Sequence, residues 1–104
     1  MFYIEKLNHY KHDIVGMSEE LQQHRNKGND RSAERVEKWL LEKLNDWKKL
    51  IETFNTFGLL GGKFKYLDYH ENVDTAIKFI KEDNLLVSNA IRVASDINLF
   101  VELL

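Results

Sequence analysis

His9-x-x-His12-Asp13 places three potential metal ligands within about one helical turn, a spacing that suits zinc or nickel on one face of a helix. A closed site needs a fourth ligand from elsewhere, and surface histidines that bind nothing are the commoner outcome, so no metal is assigned. Gly58-Leu-Leu-Gly-Gly-Lys63 resembles a phosphate-binding loop but is one residue short. Phe64 also stands where a Ser or Thr should hold magnesium, and the segment follows a helical pattern instead of a strand. Asp68-Tyr69-His70-Glu71 holds groups that could exchange protons, but the simpler reading is a connection between helices. The chain has no Glu-x-x-His pair of a di-iron bundle, no Arg followed at ribonuclease spacing by His, and no Gly-x-Ser-x-Gly elbow. It also has no cysteine, which excludes disulfides, thiolate zinc sites and a cysteine nucleophile. The expectation is a protein that is not an enzyme and carries neither metal nor cofactor.

Residue types that suit binding are better represented. Residues 68–104 hold three basic and seven acidic side chains, whereas residues 1–67 hold twelve basic and ten acidic. An acidic end beside aromatic residues fits a protein that covers a basic protein surface. In that reading Asp68, Glu71, Asp74, Glu82 and Asp83 steer association, while Phe64, Tyr66 and Tyr69 anchor the contact. The alternative is a nucleic-acid regulator that uses Arg25, Lys27, Arg31, Arg35 and Lys38. Asp30, Glu34 and Glu37 dilute that group to a net charge of +2, less than a phosphate-binding stripe normally carries. A helix-turn-helix over residues 76–95 would have Arg92 as its only base on the reading helix, which weakens it further.

The elements that must position these residues are helices. Tyr3, Leu7, Tyr10, Ile14, Met17, Leu21 and His24 form an apolar stripe at spacings of three and four. Ala33, Val36, Leu40, Leu44, Trp47, Ile51 and Phe54 form another. Folded back antiparallel, the two stripes pair so that partner numbers always total 57 or 58. Gly28 suits the end of the first helix and Asp30 the cap of the second, so residues 1–57 read as a long helical hairpin. Trp39, Leu41, Leu50 and Phe57 extend the apolar surface of the second helix, and two shorter helices packed on it would cover them. Gly58, Gly61 and Gly62 open a linker over 58–71, with Lys63-Phe64-Lys65-Tyr66 extended. Asn72 then caps a third helix, buried through Val73, Ala76, Ile77 and Ile80 and ending near Asp83-Asn84. A fourth helix starts at Leu85 or Ser88, with Val87, Ala90, Ala94, Ile97, Val101 and Leu104 as its stripe and Ile91, Phe100 and Leu103 widening it. Its apolar end should be docked in a core or an interface.

With 104 residues, 43% hydrophobic, a net charge of −2 and no proline, the composition suits one all-α domain, 1–104, built of long uninterrupted helices. No run is long enough to span a membrane, and the absence of cysteine suits the cytoplasm. The expected function is stoichiometric binding of another protein, in the manner of an inhibitor, immunity protein, antitoxin or phage anti-defence protein. A structural homodimer, formed through Trp39, Leu41 and Phe79, is the remaining alternative.

Overall fold

The paired stripes form the predicted hairpin. The computed structural model describes residues 2–82 and 87–104; in it α1 spans Phe2–Lys27 and α2 spans Asp30–Phe57. Leu7, Ile14 and Leu21 meet Val36, Leu40, Leu44, Trp47 and Ile51 in a core nearly free of water contact, with Tyr10 and Ala33 buried beside them. Met17 and Phe54 pack on its margin. The Tyr3–Phe54 pair rests on a side chain outside the described residues.

Both ends of the hairpin's second arm are set by glycine in the left-handed region. Gly28 has φ +73°, which lets its N–H reach the Arg25 carbonyl at 3.2 Å while the Asn29 N–H reaches that of His24 at 2.9 Å. Gly58, at φ +61°, closes α2 in the same way, with the Leu59 N–H on the Phe54 carbonyl at 3.1 Å. Each turn satisfies carbonyls that the helix end would otherwise leave unbonded. Because the first turn uses only Gly28 and Asn29, Asp30 is the first residue of α2 and not its cap. Its carboxylate there complements the positive end of the helix dipole.

Helix α3 spans Tyr66–Lys81 and α4 spans Val87–Leu103. The linker is therefore shorter than the expected 58–71, running from Gly58 to Lys65 with one 3₁₀ turn at Gly61–Lys63. Tyr66, Tyr69, Val73, Ala76 and Ile80 continue a single stripe at helical spacing, so starting at Tyr66 buries Tyr69 as well as Val73. That burial outweighs the missing cap at Lys65, which makes no capping bond. The residues at which the sequence placed the end of α3, Asp83-Asn84, and one start of α4, Leu85, lie outside the described residues.

The four helices form an up-down-up-down bundle measuring 45 × 25 × 18 Å. Helix α1 packs on α2 and α4, and α3 packs on α2 and α4, so the helices close a ring. Of the two short helices expected on α2, only α3 lies along it. Val93, Ala94, Ile97 and Phe100 give α4 two adjoining buried lines, and the angle between α1 and α3 covers both. Arg25 ties the hairpin to α3, its Nη2 donating to the Ile80 carbonyl at 3.1 Å near the end of that helix.

At the opposite end the linker is held by rings. Phe64 packs against Phe100 at 5.4 Å and Tyr69 at 5.3 Å between centroids, and Phe100 in turn meets Trp47 at 5.2 Å and Phe54 at 5.0 Å. Phe100 is fully buried, whereas Leu104, expected to dock, is exposed. No helix among the described residues is long and apolar enough to cross a membrane.

Candidate binding site

A cleft of about 630 Å³ lies between antiparallel α3 and α4 at the linker end of the bundle. Tyr69 and Asn72 from α3 and Asp96, Leu99 and Leu103 from α4 form its walls, with Lys63, Lys65, Asp68, Glu71 and Glu102 around them. This volume falls within the roughly 300–1,000 Å³ typical of ligand sites. A second cleft of about 480 Å³ adjoins it, lined by Asn55, Phe64, Lys65, Tyr66, Leu67 and Asp68. Lys65 and Asp68 belong to both, so the two make one depression across the start of α3.

Asp96 is the chemically distinctive residue. It is only 7% exposed, a rare state for a carboxylate without a cationic partner. Asn72 Nδ2 donates to its Oδ2 at 2.8 Å. Asp96 Oδ1 and Asn72 Oδ1 have no partner among the described residues. Burial raises the Asp96 pKa above the usual carboxylate range and nearby Asp68 adds to the rise, while the bond from Asn72 opposes it. Tyr69 is 5% exposed, and its hydroxyl also makes no hydrogen bond among the described residues. Burial, followed by the charges of Asp96, Asp68 and Glu102, pushes the Tyr69 phenol upward.

Five of the seven exposed large apolar side chains among the described residues lie at this end of the bundle: Phe57, Leu59, Leu67, Leu99 and Leu104. Leu67 is 77% exposed and Phe57 71%. The chain matches no known family, no curated protein and no solved structure.

The sequence-predicted residues divide between this site and the scaffold. Asp68 and Glu71 line the cleft, Tyr69 forms its wall, and Phe64 and Tyr66 line the adjoining depression. Tyr69 and Phe64 are also structural, since their rings fix the linker to the core. Asp74 is bound to the scaffold: it accepts from Lys48 at 2.7 Å and lies 3.3 Å from His70 Nδ1. That contact raises the Lys48 pKa, led by the hydrogen bond to Asp74. Burial raises the neighbouring Tyr66 phenol, with Glu52 adding to it. Glu82 is exposed just beyond α3, far from the cleft, and Asp83 lies outside the described residues.

At the hairpin tip, Lys27, Arg31, Arg35 and Lys38 are exposed. Arg25 is engaged instead, with Ile80 and, at 3.8 Å, with Glu37. His9 and His12 are exposed on α1, Asp13 lies 3.8 Å from Lys43, and no three potential ligands converge among the described residues. Sequence reasoning missed Asn72 and Asp96 as site residues. Asn72 had the look of a cap, but Asp96 did leave a signal, a carboxylate spaced three and four from Val93 and Phe100 on an apolar face.

Proposed function

We propose that this protein acts stoichiometrically, occupying the surface of a partner protein with the end of the bundle around the α3–α4 cleft. It belongs by this reading with inhibitors, immunity proteins, antitoxins and anti-defence proteins, whose action needs a rigid surface and no reacting group. The observation that carries the reading is that Phe57, Leu59, Leu67, Leu99 and Leu104 are all exposed at the end of the bundle that holds the acidic depression, which Leu67 and Leu99 line. Exposed apolar residues rimmed by polar groups mark interaction surfaces, and aromatic packing beneath them keeps this one preformed. Carboxylates along the depression suit a partner that is basic at the contact.

Affinity capture from the native host at low and high salt, followed by reconstitution of the purified pair, tests this. The expected result is a complex of fixed stoichiometry that is lost when Leu59 and Leu67 are both replaced by Ser, with the melting temperature kept. A complex unaffected by that change would overturn the reading. So would a salt-dependent shift with DNA or RNA that requires Arg31 and Arg35, or a protein that is already a dimer of the 12.3 kDa chain through this end.

A further inference from the structure

The lining of the α3–α4 cleft is unbalanced in hydrogen-bonding capacity. Asp96 Oδ1, Asn72 Oδ1 and the Tyr69 hydroxyl oxygen can all accept; none makes a hydrogen bond among the described residues, and none is sealed from solvent as the Trp47 indole N–H is, so each is open to a ligand. Asp68 and Glu102 add carboxylates near the Tyr69 hydroxyl. Lys63 and Lys65 border the cleft but form no ion pair with these acids within 4.0 Å. Leu99 and Leu103 line the same space with hydrocarbon.

A group complementary to this lining must donate several hydrogen bonds in fixed directions, carry positive charge and lie against apolar and aromatic walls. Guanidinium has five N–H donors in a planar fork, accepts nothing, and is weakly hydrated enough to leave water. An ammonium is a compact and strongly hydrated charge that fits such walls less well. A metal ion is a poorer match, because no three carboxylate or imidazole groups converge among the described residues.

We propose that this cleft receives a guanidinium group, the side chain of an arginine presented by the partner protein. The inference rests on the protein-binding reading above and names the chemistry of its central contact. Asn72 orients Asp96 through the 2.8 Å bond, which leaves Oδ1 of each residue to accept from the fork. The arginine methylenes pass between Leu99 and Leu103, and the exposed leucines around the cleft keep water from the ion pair. A surrounded charged pair of this kind is a frequent centre of binding energy in interfaces.

The test uses the ¹⁵N-labelled protein and three probes: N-acetyl-arginine methylamide, its citrulline analogue, which replaces the charged fork with a neutral urea, and N-acetyl-lysine methylamide. The expected result is saturable movement of the Asn72 side-chain amide and the backbone amides of residues 96–103 with the arginine probe. Citrulline should produce none, and lysine should bind several-fold more weakly. Asp96→Asn, which keeps shape and can still accept from Asn72, should weaken the arginine probe by about tenfold or more, the scale of a lost charge-assisted bond. Glu34→Gln, which removes an equal charge at the hairpin tip, should leave its affinity unchanged.

The proposal is overturned by no saturable shift, by equal shifts from citrulline, or by an Asp96→Asn protein that binds the arginine probe as well as the original. The two readings also separate with the captured partner. Loss of the complex on Leu59→Ser/Leu67→Ser together with full affinity in Asp96→Asn removes the arginine site and keeps the binding surface. An unchanged complex in the leucine variant removes the surface, whatever the probes do.

Discussion

Two polar side chains are buried among the described residues: Ser18, on the first helix of the α1–α2 hairpin, and Asp96, at the α3–α4 seam. Ser18 donates to the Ile14 carbonyl of its own helix at 2.7 Å and asks nothing of a neighbour. Asp96 is held by Asn72 from the facing helix and turns its other oxygen to the cleft. The first seam is what helix association requires: apolar side chains in register and polar groups satisfied locally. The second retains a buried carboxylate that a well-packed apolar residue would replace at no loss, and often a gain, of stability. A seam built only to hold helices together would not keep it.

The sharpest way to break this contrast is in the dry seam. Leu40 is fully buried, so Leu40→Ala should cost about 2–5 kcal/mol in denaturant unfolding. A smaller loss would mean that the hairpin core yields as readily as the cleft.

The same measurement on Asp96→Asn should move the other way. The folded-state pKa of Asp96 is raised, so the fold favours its protonated form, and stability falls as pH rises through that value. Asp68, Glu102 and Tyr69 face the group, with Lys63 and Lys65 at the border. Asp96→Asn should therefore melt above the original protein at pH 7. The gap should close as pH drops below the ordinary aspartate pKa of about 3.9. A variant less stable at neutral pH would show that the carboxylate holds the seam together.

Arg25 bridges the two halves, and Arg25→Ala should cost about 1.5 kcal/mol through the lost bond to the Ile80 carbonyl. Loss of nucleic-acid affinity without loss of stability would return it to the hairpin tip's surface chemistry. The smallest effect belongs to Gly16, exposed on α1 with nothing within 4 Å of where a Cβ would stand. Gly16→Ala should raise stability by about 0.5–1 kcal/mol, seen as a higher denaturant midpoint at unchanged slope.

The dry seam was legible because apolar period and register say the same thing twice, from Leu7 with Ile51 to Leu21 with Val36. The cleft was not, for reasons that can be named. Lys63-Phe64-Lys65-Tyr66 alternates like a strand, yet Lys63 ends the 3₁₀ turn and Tyr66 opens α3; Phe64 alone is extended, where its ring packs against Phe100. Asn72 has the local chemistry of a cap, so its role inside α3 depends on a residue 24 positions away. The placement of α4 against α1 was equally hidden, since an apolar stripe says that a face is covered and not by which helix.

Trp47 has no exposed surface, lies edge-on to Phe100, and its indole N–H has no partner among the described residues. An excited indole in that setting finds no mobile dipoles to relax around it, so its emission stays toward the blue. Trp39, 47% exposed on the outside of α2, relaxes in water, emits further to the red and is open to iodide. The chain thus carries two optical reporters of opposite character. With iodide present the remaining light comes from Trp47, and a red drift of that light marks the moment at which water reaches the aromatic cluster behind Tyr69.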